Sequence, residues 1–299
     1  MSAPVRKAVI PAAGFGTRFL PVTKSVAKEM LPIVDKPAIQ YVVEEAVAAG
    51  IEDILIISAR GKDSIADHFD RHIELEVFLE GKGKLAEARE VRALGELADV
   101  TVIRQGEALG LGHAVGMARN HVGHEPFVVM LGDDLMHERA GVLRGMIEAY
   151  EARDASVVAF MEVARSEISA YGCASATPID GESRLVRLEG LVEKPPADRA
   201  PSNLAVMGRY LFTPEIFDEI AKTQPGAGGE IQLTDAITAL IGYQAVYGYT
   251  FSDGRYDAGK KLDFVRATIE LALERDDLGP GLRDYLRDLV GRDFETGAI

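Results

Sequence analysis

A chain of 299 residues with 33 Lys+Arg against 47 Asp+Glu carries a formal net charge of −14. Its 47% hydrophobic and 27% charged residues exclude a disordered or collagen-like chain. The acidity excludes general nucleic-acid binding, which needs a basic face, so any phosphate must be held locally. The single cysteine, Cys173, excludes an intrachain disulfide and suits a reducing cytoplasm.

In chain order, Pro11 and Gly14 break the apolar N-terminus, so no signal peptide is expected there. No run approaches the ~18 apolar residues of a bilayer span, and a cytoplasmic protein without a membrane partner is expected. Ala8-Val9-Ile10 reads as a strand entering a Gly-rich loop, and Ala38 to Ala49 as an amphipathic helix stopped at Gly50. Ile54 to Ile57 reads as a second buried strand. Residues 62 to 99, rich in Glu, Arg and Lys, predict a helical excursion with a solvated face. Val100 to Ile103 is a strand, Gly112 to Asn120 a helix and Phe127 to Leu131 another strand. This alternation predicts an α/β fold of three layers, a mostly parallel (mixed) central sheet with helices on both faces.

After about residue 155 the pattern becomes mixed, with strands at Val157 to Val163, Leu185 to Val192 and Leu204 to Phe212, and helices at Ile231 to Ile241, Lys261 to Arg275 and Gly281 to Leu289. A single domain spanning 1–299 is expected, without repeats or long linkers.

The strongest local signal is Ile10-Pro11-Ala12-Ala13-Gly14-Phe15-Gly16-Thr17-Arg18. A strand running into Gly14 and Gly16 exposes backbone N–H groups to an anion, and Arg18 adds a planar fork. A dinucleotide fingerprint would need Gly where Phe19 stands, and a Walker A loop would need Gly-Lys-Ser/Thr. Lys24, Lys28 and Lys36 follow in a Pro-punctuated stretch and can face the same anion. Leu131-Gly132-Asp133-Asp134 emerges at a strand's carboxyl end, where open α/β sheets place ligands. One carboxylate there suits Mg²⁺, and capping of the next helix is expected from one of the two acids. Gln105 lies between a strand and a helix, where an amide can donate and accept at a pyrimidine edge.

The run Ile10 to Pro37, with Gly132-Asp133-Asp134, Val192-Glu193-Lys194-Pro195, Met207-Gly208-Arg209-Tyr210, Gly229-Glu230-Ile231-Gln232-Leu233-Thr234-Asp235 and Tyr256-Asp257-Ala258-Gly259-Lys260, resembles the bacterial UTP–glucose-1-phosphate uridylyltransferases, within the Rossmann-like sugar nucleotidyltransferases. The order and spacing match over nearly the whole chain. Ala27 departs from the proline usual before the loop lysine, without removing a functional group. The resemblance implies that the backbone of Ala12, Ala13 and Gly14 and the side chain of Gln105 hold uracil above Gly110, with Gly16 and Thr17 in the same nucleotide loop. Arg18 and Lys28 would take the triphosphate. Asp133 would carry Mg²⁺, with Asp257 as a second metal contact. Glu193 and Glu230 would bind glucose hydroxyls, Gly172 and Gly208 would admit the sugar, and Lys194 would hold its phosphate. It further implies UTP and glucose 1-phosphate as substrates, UDP-glucose and pyrophosphate as products, and a homo-oligomer, dimer or tetramer. Residues 1–155 would form a nucleotide-binding half, 156–260 a sugar-binding half and 261–299 C-terminal helices.

Two alternatives stay open: the same transfer with another base or sugar, such as thymidylyl, and a catalytically silent nucleotide-sugar-binding paralogue that regulates a partner. The silent paralogue predicts loss of Lys28, Asp133 or Lys194, and all three are present. Among other candidates, His68 and His72 at i, i+4 read as a solvated helix face, His121 and His124 as surface residues, Cys173 as a packing residue and 82–96 as solvent-facing.

Overall fold

The computed structural model describes residues 2–296. Its strands are β1 (Lys7–Pro11), β2 (Pro32–Ile33), β3 (Lys36–Pro37), β4 (Asp53–Ser58), β5 (Asp99–Arg104), β6 (Phe127–Met130), β7 (Asp134–Met136), β8 (Ser156–Glu162), β9 (Cys173–Pro178), β10 (Leu185–Val192), β11 (Leu204–Phe212), β12 (Val246–Thr250) and β13 (Arg255–Asp257). Nine of them form one mixed sheet in the order β5-β4-β1-β6-β11-β8-β12-β10-β9. The pairings β5–β4, β4–β1, β1–β6 and β8–β12 are parallel. β11 lies antiparallel to β6 and β8, and β10 antiparallel to β12 and β9. Only β10 and β11 therefore run against the other seven.

Alternation in the strands divides the core between the two faces. Ala8, Ile10, Ile54, Ile56, Val128 and Met130 pack with Ile39, Val42 and Val43 of the helix Ala38–Ala48 and with Leu143 and Met146 of the helix Val142–Arg153. Val9, Leu55, Ile57, Phe127 and Val129 pack the other way, against Val115, Ile216, Ile220, Ile237 and Leu240. Each strand buried on both faces reads as the continuous apolar run that the sequence displays.

The structure corrects several local expectations. The helix expected over Gly112 to Asn120 is two short ones, Leu111–Gly116 and Arg119–Val122; Gly112 and Gly116 weaken a continuous helix. The apolar run from Phe127 ends as a strand at Met130, and β7 follows. Neither Asp133 nor Asp134 caps a helix, because Asp134 lies in β7. His68 ends a short helix, Ser64–Phe69, while His72 caps the next, Ile73–Gly81, so they share no helical face. His68 is half-buried on Gln40 at 3.0 Å and burial lowers its pKa. His121 is likewise drawn in, 2.8 Å from Asp53. Among the described residues no helix is long and apolar enough to cross a membrane.

One buried ion pair fixes the loop that matters most. Arg209, on β11, is 0% exposed and places Nη2 2.6 Å from Glu45 Oε2 and 2.8 Å from the carbonyl of Asp134. It thereby ties the helix Ala38–Ala48 to β7 and the turn before it. Removing one partner of such a pair strands the other charge. Glu45→Ala is expected to lower the unfolding free energy by about 3–5 kcal/mol, measured by urea denaturation.

Candidate functional site

Because β1, β4, β5 and β6 are parallel, the segments leaving them at Ala12, Ala59, Gln105 and Leu131 converge on one edge of the sheet. Such an edge is where an open α/β sheet takes a ligand.

The Gly-rich loop is folded onto Lys28. A Cβ on Gly14 would lie 3.8 Å from Lys28 Cε, and one on Gly16 would lie 3.0 Å from Lys28 Cβ. Gly16 has φ +65° and an added Cβ would also crowd Thr23 Cγ2 at 3.2 Å, so glycine is favoured there on both counts; its carbonyl accepts from Thr23 Oγ1 at 2.7 Å. Thr17 and Arg18 follow in a 3₁₀ turn and are exposed. Ala12 is buried and its backbone is committed: its N–H donates to Ile57 O at 2.8 Å, and its carbonyl accepts from Lys62 Nζ at 2.5 Å. The Ala12 backbone is thus already partnered within the protein, while Ala13 and the exposed Gly14 follow it at the sheet edge.

Lys28 Nζ lies 2.5 Å from Asp133 Oδ2. Burial works against the lysine's charge, but Asp133 and Glu29 outweigh it and its pKa is raised. Burial likewise opposes ionisation of Asp133, and Lys28 reverses the sign, so its carboxyl is held below the usual range. Asp257 joins them across Gly259: a Cβ at Gly259 would lie 2.7 Å from Asp133 Oδ2 and 3.0 Å from Asp257 Oδ1. The two carboxylates thus converge on one glycine. Among the described residues no group of three or more His, Cys, Asp or Glu is arranged to hold a metal.

Asp134 does something else. It accepts from Gly208 N at 2.7 Å and lies 2.6 Å from Arg255 Nε. A Cβ at Gly208 would meet Asp134 Oδ2 at 2.6 Å, so this glycine makes room for the aspartate.

Gln105 is 8% exposed. Its N–H extends the ladder to Ser58 O at 2.8 Å, and its amide nitrogen lies 2.8 Å from His113 Nδ1 and 3.4 Å from Gly110 O. The amide nitrogen, not the oxygen, faces these two groups, which leaves the oxygen to accept at a base edge, an orientation the sequence does not convey. Gly110, at φ +100°, packs against Glu230 and Ile231: a Cβ there would lie 2.8 Å from Glu230 Cβ. Reciprocal backbone bonds, Ile231 N to Leu109 O and Gly112 N to Ile231 O, lace the two segments together.

Glu193 accepts from Thr234 Oγ1 at 3.2 Å, and a Cβ on Gly172 would come within 3.4 Å of Glu193 Oε2. Lys194 is 61% exposed, with φ +41°, and its N–H donates to Tyr171 O at 3.1 Å. The Tyr171 hydroxyl is 2.6 Å from Lys260 Nζ, which is 3.4 Å from Asp257. Tyr171 therefore bridges the Glu193–Lys194 turn and the acidic pair. Lys36, expected near the anion, turns away to Glu44 at 2.9 Å. Lys62, Arg255, Lys260 and Thr234 were not anticipated as site residues. Lys62 carries one signal: it closely follows the buried parallel strand β4.

Glycine-lined backbone, cations and paired carboxylates at the carboxyl edge of parallel strands are the chemistry of a site for nucleoside phosphates. Residues 7–274 match the nucleotidyl transferase family. The chain is 50% identical to UTP–glucose-1-phosphate uridylyltransferase of Bacillus subtilis strain 168 over 289 residues, covering 97% of this chain and 98% of the relative. A UTP-bound UGPase from Acinetobacter baumannii has 40% identity and a TM-score of 0.88, over 95% of this chain and 99% of the other. A UDP-glucose pyrophosphorylase complexed with UDP-glucose has 40% identity and a TM-score of 0.81, over 91% and 100%. The chain belongs to the nucleotidyl transferase family and, within it, to the UTP–glucose-1-phosphate uridylyltransferases.

Proposed function

We propose that this protein transfers the uridylyl group of UTP to glucose 1-phosphate, giving UDP-glucose and pyrophosphate. The observation that carries the reading is the Lys28–Asp133 pair, set under Gly14 and facing Asp257 across Gly259. Glucose 1-phosphate is largely a dianion at neutral pH, its second pKa being about 6, so the attacking oxygen needs no general base. That oxygen bonds to the α-phosphorus in line, and the bond from the α-phosphorus to the bridging oxygen breaks, releasing pyrophosphate. What the chain must supply is charge neutralisation and alignment.

Arg18 and Lys28 hold the triphosphate, and Lys194 the sugar phosphate. The left-handed backbone of Lys194, tied to Tyr171, fixes where its side chain departs. Glu193, oriented by Thr234, accepts from glucose hydroxyls, with Gly172 leaving room for the ring. Glu230, against Gly110, serves the sugar from the seam with the base site. Two hard carboxylates suit Mg²⁺, which is content with one or two of them plus phosphate oxygens. Asp133 and Asp257 would hold it, and the ion would screen the phosphate oxygens. A chain of net charge −14 repels both substrates at long range, so these cations must act locally.

The proposal includes the three-layer Rossmann-like arrangement, the division of labour near residue 155 and a homo-oligomer. Ile73, Val77, Phe78 and Leu85, each more than half exposed, supply apolar surface for the last.

Initial rates with UTP, dTTP, CTP, ATP and GTP against glucose 1-phosphate test the reading. UTP is expected to be fastest, with dTTP behind it by about 1–3 kcal/mol in kcat/KM, the discrimination a methyl-sized difference allows. Turnover with ATP equal to that with UTP would overturn it.

A further inference from the structure

We propose that His113 determines which pyrimidine is accepted, by locking the Gln105 amide with its oxygen toward the base. The proposal rests on Gln105 being the base reader. Its starting point is that the amide has no freedom left. The Gln105 amide nitrogen faces two acceptors, His113 Nδ1 at 2.8 Å and the Gly110 carbonyl at 3.4 Å. A backbone carbonyl has no proton to give, so turning the amide over would set oxygen against oxygen at Gly110 and oxygen against the Nδ1 lone pair at His113. In the proposed lock Nδ1 accepts from the amide, which places the ring proton on Nε2.

His113 is itself well anchored. It stands in the first turn of the helix Leu111–Gly116, whose start is tied by Gly112 N to Ile231 O at 2.9 Å. A Cβ on Gly112 would come within 2.8 Å of that same carbonyl, so the turn cannot shift freely. Gln105 is held from the other side by its backbone bond to Ser58. Its Oε1 accepts from no group among the described residues, yet it is not one of the buried unpartnered atoms, so it opens to solvent at the sheet edge.

A pure acceptor facing ring N3 pairs with the N3–H of uracil or thymine. Cytosine presents a lone pair there, and the two repel. With His113 removed, only the long contact to Gly110 opposes the flip; the amide can then turn its NH₂ to cytosine N3. His113 thus acts through Gln105 and is a positioning residue for base specificity.

The experiment measures kcat/KM for UTP, dTTP and CTP in the full-length enzyme and in variants. His113→Phe keeps a ring and removes the acceptor; His113→Leu provides a smaller apolar replacement should the first fail to fold. Both are expected to lower the UTP:CTP ratio at least about tenfold, with the UTP:dTTP ratio unchanged because both bases carry N3–H. His113→Gln, which restores an acceptor, is expected to recover most of the UTP:CTP ratio. A merely structural loosening would slow all three triphosphates together. An unchanged UTP:CTP ratio in both apolar variants overturns the proposal. Gln105→Leu separates the two levels. If it lowers the ratio while the His113 variants do not, the role of His113 alone is refuted; if it leaves the ratio intact, the base reading at Gln105 falls and the His113 role with it.

Discussion

Asp133→Asn is expected to lower kcat about 10³-fold, the size of losing several kcal/mol of charge stabilisation at the transferring phosphoryl group. Two consequences of the geometry add up to that effect. The carboxylate that faces Asp257 across Gly259 loses its charge, which weakens any divalent cation held between them. Lys28, now without the anion 2.5 Å away, is left to Glu29, whose Oε1 is 3.9 Å from its nitrogen. Asparagine keeps the shape that Gly259 is built around, so the far-UV spectrum and the unfolding midpoint should change little. Raising Mg²⁺ should restore only part of the rate, because the second consequence does not depend on metal. Wild-type rates at limiting Mg²⁺ would make Asp133 a structural partner of Lys28 and nothing more.

Lys28→Met should cost about 10²–10³-fold in kcat, the usual effect of deleting one preorganised charge at a developing anion. Methionine preserves the unbranched stem on which Gly14 and Gly16 pack, so the loop should persist. The loss falls on the triphosphate, and KM for glucose 1-phosphate should therefore stay within a few-fold of wild type, whereas a collapsed loop would raise every constant. Lys28→Arg should rescue little. A guanidinium is a wide planar fork where the site holds a compact ammonium against Asp133. Steady-state kinetics against each substrate in turn measure this, and an unchanged kcat in Lys28→Met would remove the residue from the phosphate site.

Much of this arrangement is legible in the residues, and the limits have physical causes. The strands buried on both faces, β1, β4, β6 and β11, announce themselves as continuous Val, Ile and Leu runs; the helix Ala38–Ala48 does so by its apolar stripe. β9, Cys-Ala-Ser-Ala-Thr-Pro, has no bulky β-branched residue but threonine. β7 and β13 have three residues each, too few for any periodicity. Motif residues such as Gly14, Lys28 and Asp133 are readable because chemistry dictates their type.

What a motif does not carry is who holds it. Lys62 sits in a charged stretch that reads as solvent-facing, yet only the parallel pairing of β4 beside β1 brings it to Ala12 O and to Glu29, at 2.8 Å. Glu29 follows the loop lysine with no pattern that singles it out, but it is wholly buried between Lys28 and Lys62, and burial pushes its pKa up. The turning of the Gln105 amide nitrogen toward Gly110 and His113 is equally a matter of tertiary contact. Sequence separation of eight residues across a turn does not fix which way a ring nitrogen points.

The central claim is a direct transfer from UTP to glucose 1-phosphate, with no uridylyl group resting on the protein. Exchange of label from pyrophosphate into UTP tests it most directly, run with and without glucose 1-phosphate in the presence of Mg²⁺. Label is predicted to enter UTP only when the sugar phosphate is supplied, since pyrophosphate can then attack the UDP-glucose formed. Exchange without sugar phosphate, or none under either condition, would contradict the account.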